Sequence, residues 1–316
     1  MSKIVVIWDI MIDKYTFWKV KRLNPEAPVP LINVEKEEER LWWAANVAAN
    51  VASLNWNVDL IWLVWNDDWF EKLKKLCKEN KISLYGIPLL PFTIVKQRFI
   101  ESTYHQQLLR IDYEDIEKTW RNSEEIWRKI IKNLKQINPE IIIVSDYNKG
   151  TLTETSIKLL LEKFWDRKIL VDTKPKNTTY FKGVYILKPN FKEFCQIIGQ
   201  EIENENYQIE KYWKDLVKQL NIEYLVVTRW EKWASLIWRD WTTIHTPTQA
   251  KQVFDVTGAG DTFIATLWWA IAEGYDIVEA VKLANKASWI VVGKVGTAII
   301  KKEELFENKN HSQSRK

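Results

Sequence analysis

The chain has 316 residues, 46% of them hydrophobic and 28% charged, with a net charge of +4. That length suits one large α/β domain with a sizeable core. The mild basic excess forms no dense Lys/Arg block with interleaved aromatics, which argues against a nucleic-acid partner, and no apolar run approaches the ~18 residues of a membrane span.

Lys3 leads directly into the apolar run Ile4–Ile7, with no signal-like segment before it. Further buried strands are expected at Val58–Val64, Ile141–Ser145, Lys168–Asp172, Val184–Leu187 and Tyr224–Thr228. Amphipathic patterns predict helices at Asn46–Leu54, Trp69–Glu79, Ser123–Gln136, Thr153–Phe164, Phe191–Ile198 and Tyr207–Gln219, then two long ones at Gly258–Glu273 and Ile277–Val291. This is the rhythm of an α/β fold with an open, mostly parallel sheet and helices on both faces. Two segments break it. Lys14–Arg40 carries Pro25, Pro28 and Pro30, and Thr93–Tyr113 contains the extended runs Ile94–Glu101 and Gln106–Tyr113. Both are expected to form antiparallel strands off the main sheet, joined in one small β-flap. The domain is expected to span 1–303, followed by a polar, disordered tail at 304–316.

Cys77 and Cys195 are far apart and lack metal-ligand spacing, which fits a reduced, cytoplasmic protein with two buried thiols. Of the histidines, His105, His245 and His311, none pairs in sequence with a Ser or Cys motif, so a hydrolase triad or zinc site is poorly supported.

The string Asp255-Val256-Thr257-Gly258-Ala259-Gly260-Asp261-Thr262-Phe263 opens the first long helix. Gly258 and Gly260 permit a tight turn around Ala259 whose backbone N–H groups converge, and the positive end of the helix dipole adds to the same spot. Such a nest suits a phosphoryl group gaining charge in transfer. Asp261, in the first turn, can take the proton of an attacking hydroxyl. Taken alone, the turn also fits a glycine-rich loop with Asp as helix cap. Asp9 and Asp13 follow the first strand at its carboxyl end, where open α/β sheets place ligands. Lys96 and Arg98 alternate on one flap strand and share a face, suited either to clamping a phosphate or to solvent. Asp146, Lys149 and Lys174 each follow a buried strand.

The nine-residue string resembles the signature of the ribokinase-like (PfkB) sugar kinases, and the similarity runs over nearly the whole chain. "WDIMIDKY", "NPEAPVP", "EER", "WWAANVA", "SDYNKG", "VDTKPK", "KPNFKEF" and "VVGKVGT" look like the branch that phosphorylates D-glycero-D-manno-heptose 7-phosphate. The resemblance implies a ribokinase-like three-layer α/β/α sandwich, ATP as donor and Mg²⁺. It implies that Asp13, residues 42 and 43, Asn46, Lys96, Arg98, Asp146 and Lys174 meet the sugar phosphate. On the nucleotide side it implies Asn190, Phe191, Lys192 and Glu193, with Asn190 and Glu193 organising Mg²⁺ largely through water. Thr228, Trp230, Trp233 and Asn285 would line the nucleotide site. A monovalent cation near Asp255 and Val292–Gly296 is left open, and flap-to-flap contact implies a homodimer. A kinase for ribose, fructose or a hexose phosphate, or a non-catalytic sugar or nucleotide sensor, are the alternatives. Longer members of the branch add a nucleotidyltransferase domain, an activity not expected of 316 residues.

The composition is skewed: Trp 19 against Gly 9. By resemblance, Trp8, Trp42, Trp43, Trp62, Trp65, Trp233 and Trp289 fall at family glycines, as do Trp18, Trp56, Trp69, Trp230, Trp268 and Trp269. Some bacteria read UGA as glycine while another code reads it as tryptophan, so a UGA codon decoded the second way would account for both excess and deficit. Residues 42 and 43 as glycines would let backbone N–H groups approach the sugar. As indoles they would fill the pocket or stack on the sugar.

Overall fold

The computed structural model describes residues 3–306 apart from 8–9, 89–92, 105, 115–122, 149–151, 230–231, 233, 241, 247–256 and 295–297. Asp9, Lys149, Trp230, Trp233, Asp255 and the 295–297 part of the suggested cation loop therefore lie outside the described residues.

Continuous apolar runs form the main sheet, because strands covered by helices on both faces need no polar side. Its parallel part comprises β1 (Ile4–Ile7), β4 (Val58–Val64), β5 (Ile82–Pro88), β8 (Ile141–Ser145), β9 (Lys168–Asp172), β10 (Ile186–Leu187) and β11 (Tyr224–Thr228). Antiparallel β12 (Ala234–Trp238) and β13 (Thr243–His245) finish one edge, giving the order β13-β12-β11-β10-β9-β8-β1-β4-β5. From β1 the chain builds outward through β4 to β5, then returns to build the other way from β8. The switch point thus lies between β1 and β8, and open sheets bind ligands outside the carboxyl ends of such strands.

The helices are α1 (Ala44–Ser53), α2 (Asp68–Glu79), α3 (Ser123–Ile137), α4 (Glu154–Lys163), α5 (Pro175–Thr178), α6 (Phe191–Ile198), α7 (Asn206–Leu220), α8 (Ala259–Ala272), α9 (Ile277–Val292) and α10 (Lys302–Phe306). Helices α1, α8 and α9 pack together as one layer, and α3 packs on α4. Right-handed crossovers run in opposite directions from β1, which places the two groups on opposite faces. Starts are well signalled: Thr153 and Ser156 cap α4 reciprocally, and Asp276 accepts from Val278 and Glu279 N–H at α9. Cys77 and Cys195 are free and buried, and burial pushes the Cys77 thiol up to about 12. Helix α10 extends the ordered fold past 303, since Leu305 is fully buried against the core; the break to a polar tail expected at 304 does not occur there.

A second sheet, in the order β3-β2-β6-β7, forms the flap from β2 (Ile10–Leu23), β3 (Pro30–Trp43), β6 (Val95–Glu101) and β7 (Gln107–Tyr113). Both hairpins are antiparallel, as expected, but they join through β2 and β6 in parallel, which corrects the all-antiparallel expectation. The pairing sets Asp13 beside Lys96 and Tyr15 beside Arg98, with Arg40 opposite Asp13 on β3.

Several indoles sit where their surroundings do not suit them. Trp43 has φ 56 and ψ −132, a backbone region open essentially to glycine. Trp18, Trp268 and Trp269 are buried, and among the described residues no acceptor reaches their ring N–H groups. Each such donor costs ~1–3 kcal/mol.

Candidate active site

Asp261 is the one ionisable side chain in the buried, otherwise apolar helix α8. Gly258 sets up its position: with φ 78 it turns the chain into the helix and leaves the first-turn N–H groups facing outward. Asn46 Nδ2 donates to Asp261 Oδ2 at 3.0 Å, and the Tyr147 hydroxyl donates to Oδ1 at 2.6 Å. Burial pushes the Asp261 carboxyl up to about 6, against the pull of those two hydrogen bonds. At neutral pH it is still mostly ionised, as a general base must be.

A second layer fixes both donors. Asn50 donates to the Asn46 carbonyl at 2.9 Å and to Asn46 Oδ1 at 3.3 Å, which leaves the Asn46 amide nitrogen to face Asp261. Asn50 Oδ1 in turn accepts from Thr262 Oγ1 and from Ile300 N–H. Tyr147 sits just past β8 on a loop folded by Asp146. One Asp146 oxygen takes the Asn148 N–H at 2.8 Å; the other takes Thr173 Oγ1 at 2.6 Å and Asn177 Nδ2 at 2.9 Å. Asp146 thus organises the loop that aims Tyr147. Burial, then the Asp261 charge, hold the Tyr147 phenol well above its usual pKa, so it remains a donor.

Tyr147→Phe removes a bond that lowers the Asp261 pKa. We expect the acid limb of kcat/KM, near pH 6 in the parent, to move upward in this variant. Titration of a substrate phosphate would not move, so the shift reports the enzyme.

A cavity of about 700 Å³ adjoins the start of α8, lined by Ala259, Gly260, Asp146, Tyr147, Asp172, Lys174, Lys188, Asn190, Glu193, Thr228, Arg229 and Asn285. It brings together Asn190, Glu193, Thr228 and Asn285, four of the eight residues expected on the nucleotide side. Phe191 is half-buried against the core and Lys192 is exposed; neither lines it. Asn190 and Glu193 cap α6 reciprocally: Asn190 Oδ1 accepts Glu193 N–H at 2.8 Å, and Glu193 Oε2 accepts Asn190 N–H at 2.9 Å. Lys174 Nζ is 2.5 Å from the other Glu193 oxygen, so its partner here is a carboxylate. The donors suit Mg²⁺: Glu193 and Asp172 face the same cavity, and an ion that dehydrates reluctantly takes one or two carboxylates through its waters. Asn285 Nδ2 donates to Thr246 Oγ1, and Arg229, unanticipated from sequence, is fully buried and held by Asn204, Asn206 and Ser235.

The flap residues do not line this cavity. Asp13 is fully buried and accepts from Arg98 Nη1 at 2.8 Å; Lys96 pairs with Asp112 at 3.1 Å. Arg98 lies 4.3 Å over the Trp42 ring and Lys96 5.3 Å over the Trp43 ring. Trp43 itself stacks on Tyr147 with centroids 4.8 Å apart and planes 13° from parallel. Asp13, Lys96, Arg98 and residues 42 and 43 thus meet at the flap, whereas Asp146 and Lys174, expected with them, line the other cavity, and the Trp43 ring lies between Lys96 and Tyr147.

In the fold His245 meets a serine outside any sequence motif. Its Nδ1 lies 2.8 Å from Ser235 Oγ and its Nε2 2.9 Å from Glu210. Ser235 is fully buried at the sheet edge, so this trio knits β12, β13 and α7 together and offers no nucleophile.

A model of the family described as pfkB family carbohydrate kinase matches residues 1–304. The chain belongs to the pfkB family. Its fold is ribokinase-like: phosphofructokinase-2 from Escherichia coli, solved in complex with potassium, superposes with a TM-score of 0.80 at 15% identity, covering 96% of this chain and 97% of that one. A ribokinase from Thermotoga maritima gives 0.69 at 19% identity, covering 96% and 98%. Among curated relatives, the bifunctional protein HldE of Pasteurella multocida is 38% identical over 99% of this chain, and that of Haemophilus ducreyi 40% over 98%. The chain spans 64% of the length of each. Among the described residues no helix is long and apolar enough to cross a membrane.

Proposed function

We propose that the chain transfers the γ-phosphoryl group of ATP to the anomeric hydroxyl of D-glycero-β-D-manno-heptose 7-phosphate, giving the 1,7-bisphosphate. The observation that carries the reading is the Asp261 carboxylate, held between the α8 nest and the paired flap cations Lys96 and Arg98. The heptose motifs in the sequence and the similarity to proteins named HldE point to the same acceptor.

In this account the sugar lies under the flap, with its distal phosphate on Lys96 and Arg98, its hydroxyls on Asp13 and the 42–43 backbone, and its anomeric hydroxyl on Asp261. Asp261 takes the proton as the oxygen attacks. The N–H groups of Gly258–Gly260 receive the charge that grows on the moving phosphoryl. Asn190, Glu193 and Asp172 would hold Mg²⁺ through water, which supplies neutralisation of the polyphosphate. The flap excludes water, so that ATP is not spent on hydrolysis. A sugar screen with ATP tests the acceptor: heptose 7-phosphate is expected to give the highest kcat/KM, and a preference for ribose or fructose 6-phosphate would replace this reading.

The same proposal places the protein in the cytoplasm, with a monovalent cation beside the 292–296 loop. It forms a homodimer through the flap, whose surface exposes Val20, Val34, Leu108 and Leu109. It also takes residues 42 and 43 as glycine in the working enzyme. The intact mass of protein from its native host tests this, since each glycine in place of tryptophan lowers the mass by a fixed step; UGG codons at these positions would refute it.

A further inference from the structure

Arg229 follows β11 and is fully buried. Among the described residues its guanidinium is held by amide, carbonyl and hydroxyl oxygens and by no carboxylate. Nε donates to Asn204 Oδ1 at 2.7 Å and Nη2 to the Asn204 carbonyl at 2.9 Å, while Nη1 donates to Asn206 Oδ1 at 2.6 Å and to Ser235 Oγ at 3.0 Å. Asn204 Nδ2 answers by donating to the Arg229 carbonyl at 3.1 Å. Asn204, in the connection from α6 to α7, is thus clamped from both its side chain and its main chain onto the end of β11. The same end of β11 is tied to the start of α6: Thr228 N–H donates to the Pro189 carbonyl at 3.0 Å, and Asn190 bridges to Thr228. Asn204 lines the large cavity together with Thr228 and Asn285.

A buried cation held only by neutral groups is a poor source of stability, and burial here pulls the Arg229 pKa down, against the charge of Glu205. An apolar side chain would fill the same space at less cost. What the guanidinium supplies instead is a rigid planar fork of donors. An asparagine side chain has two N–H donors and two acceptor lone pairs, and Arg229 engages one of each on Asn204. One donor and one acceptor remain on a half-buried amide in the cavity wall, and among the described residues no other side chain takes them up. A neutral donor–acceptor pair suits the hydroxyls or the ring edge of a nucleoside, whereas charged groups suit its phosphates.

Resting on the kinase reading, we propose that Asn204 binds the nucleoside part of the nucleotide and that Arg229 is the positioning residue that holds it there. The fork grips the side-chain oxygen and the main-chain carbonyl of Asn204 together, so it sets both the place and the rotation of the amide. The other edge of the fork is anchored on Asn206 and Ser235. Ser235 is held in turn by His245, whose Nε2 reaches Glu210 of α7 at 2.9 Å. The guanidinium therefore cannot swing with Asn204 when a ligand pulls on it. Lysine, a point charge on a flexible stem, could not grip both Asn204 oxygens in the same way.

The test is a double-mutant cycle read by titration calorimetry of Mg·ADP on the full chain, so it does not depend on an open sugar site. Asn204→Ala is expected to weaken Mg·ADP about fivefold, as the loss of one or two neutral hydrogen bonds requires, and Arg229→Met by about as much. The double variant is expected to lose no more than about twofold beyond either single one, because Arg229 acts through Asn204. Mg·tripolyphosphate, the phosphate chain without a nucleoside, is expected to compete against Mg·ADP with an affinity unchanged within about twofold in every variant. Unchanged Mg·ADP affinity in either single variant would overturn the proposal. So would losses that multiply in the double variant, or an equal loss for tripolyphosphate, which would mark a general loosening of the cavity. Arg229→Lys serves if the Met variant does not fold by circular dichroism: it is expected to show the same loss, and parent-like affinity would overturn the role of the fork. A parent that binds no Mg·ADP would sink the kinase reading itself, whereas a parent that binds it and variants that match the parent would sink this proposal alone.

Discussion

Asp261→Asn is expected to lower sugar phosphorylation about a thousandfold, within the span that general-base catalysis contributes, and to leave ATP binding within about twofold. Asparagine has the same shape, so the Tyr147 and Asn46 contacts have an equivalent neighbour. What is lost is the proton acceptor. The same substitution should stabilise the protein. A carboxyl whose folded-state pKa is raised from 3.8 to about 6 is held in the fold at a cost when ionised. That difference is worth about 3 kcal/mol once the group is fully charged, and it disappears below its unfolded value. Stability associated with Asp261 is therefore greatest in acid and falls as pH rises through about 6. Thermal melts should place the Asn variant above the parent at pH 8, with the gap narrowing at pH 5. An Asn variant with unchanged turnover would remove Asp261 from its role.

The second large effect is expected at the flap. Trp43→Gly, alone or with Trp42→Gly, should raise kcat/KM for the sugar phosphate at least about a hundredfold, because productive seating of an acceptor is worth that much or more. The Trp43 ring stacks on Tyr147, whose hydroxyl donates to Asp261, and has Lys96 over its face. Glycine removes the ring and suits φ 56, ψ −132. Truncating a buried tryptophan ordinarily costs ~3–5 kcal/mol; relief of a backbone conformation that costs ~1–3 kcal/mol should return part of it. A melting temperature that falls little, together with a gain in turnover, would show that the indole is foreign to the site. A fall in both would show that it belongs there.

Much of this was legible in the residues. β1, β4, β8, β9 and β11 match their expected bounds because two-sided burial leaves an unbroken apolar run with polar punctuation. The edge strands escaped for the converse reason. β5 contains Gly86 and ends in Pro88, and β13 is three residues long, so neither carries a periodic signal. The expected strand Val184–Leu187 shrinks to Ile186–Leu187, since only two residues pair. The parallel join of β2 to β6 links segments about eighty residues apart, and nothing local encodes it. At the site, the glycine turn and Asp261 declared themselves, but Tyr147 and Lys188 did not. Both sit in motifs noticed for other residues, and only the loop fold around Asp146 and the pairing of β10 with β9 reveal where they point.

On the proposed mechanism the carboxylate of Asp261 and the amides before it drive phosphoryl transfer to an anomeric oxygen. The direct measurement is phosphorus NMR of protein carrying glycine at 42 and 43, mixed with Mg·ATP and heptose 7-phosphate. The account predicts loss of the γ-phosphate signal and growth of a sugar phosphate resonance coupled to the anomeric proton, absent when Asp261 is replaced by Asn. Transfer to a different carbon, to water alone, or at equal rate in the Asn variant would contradict it.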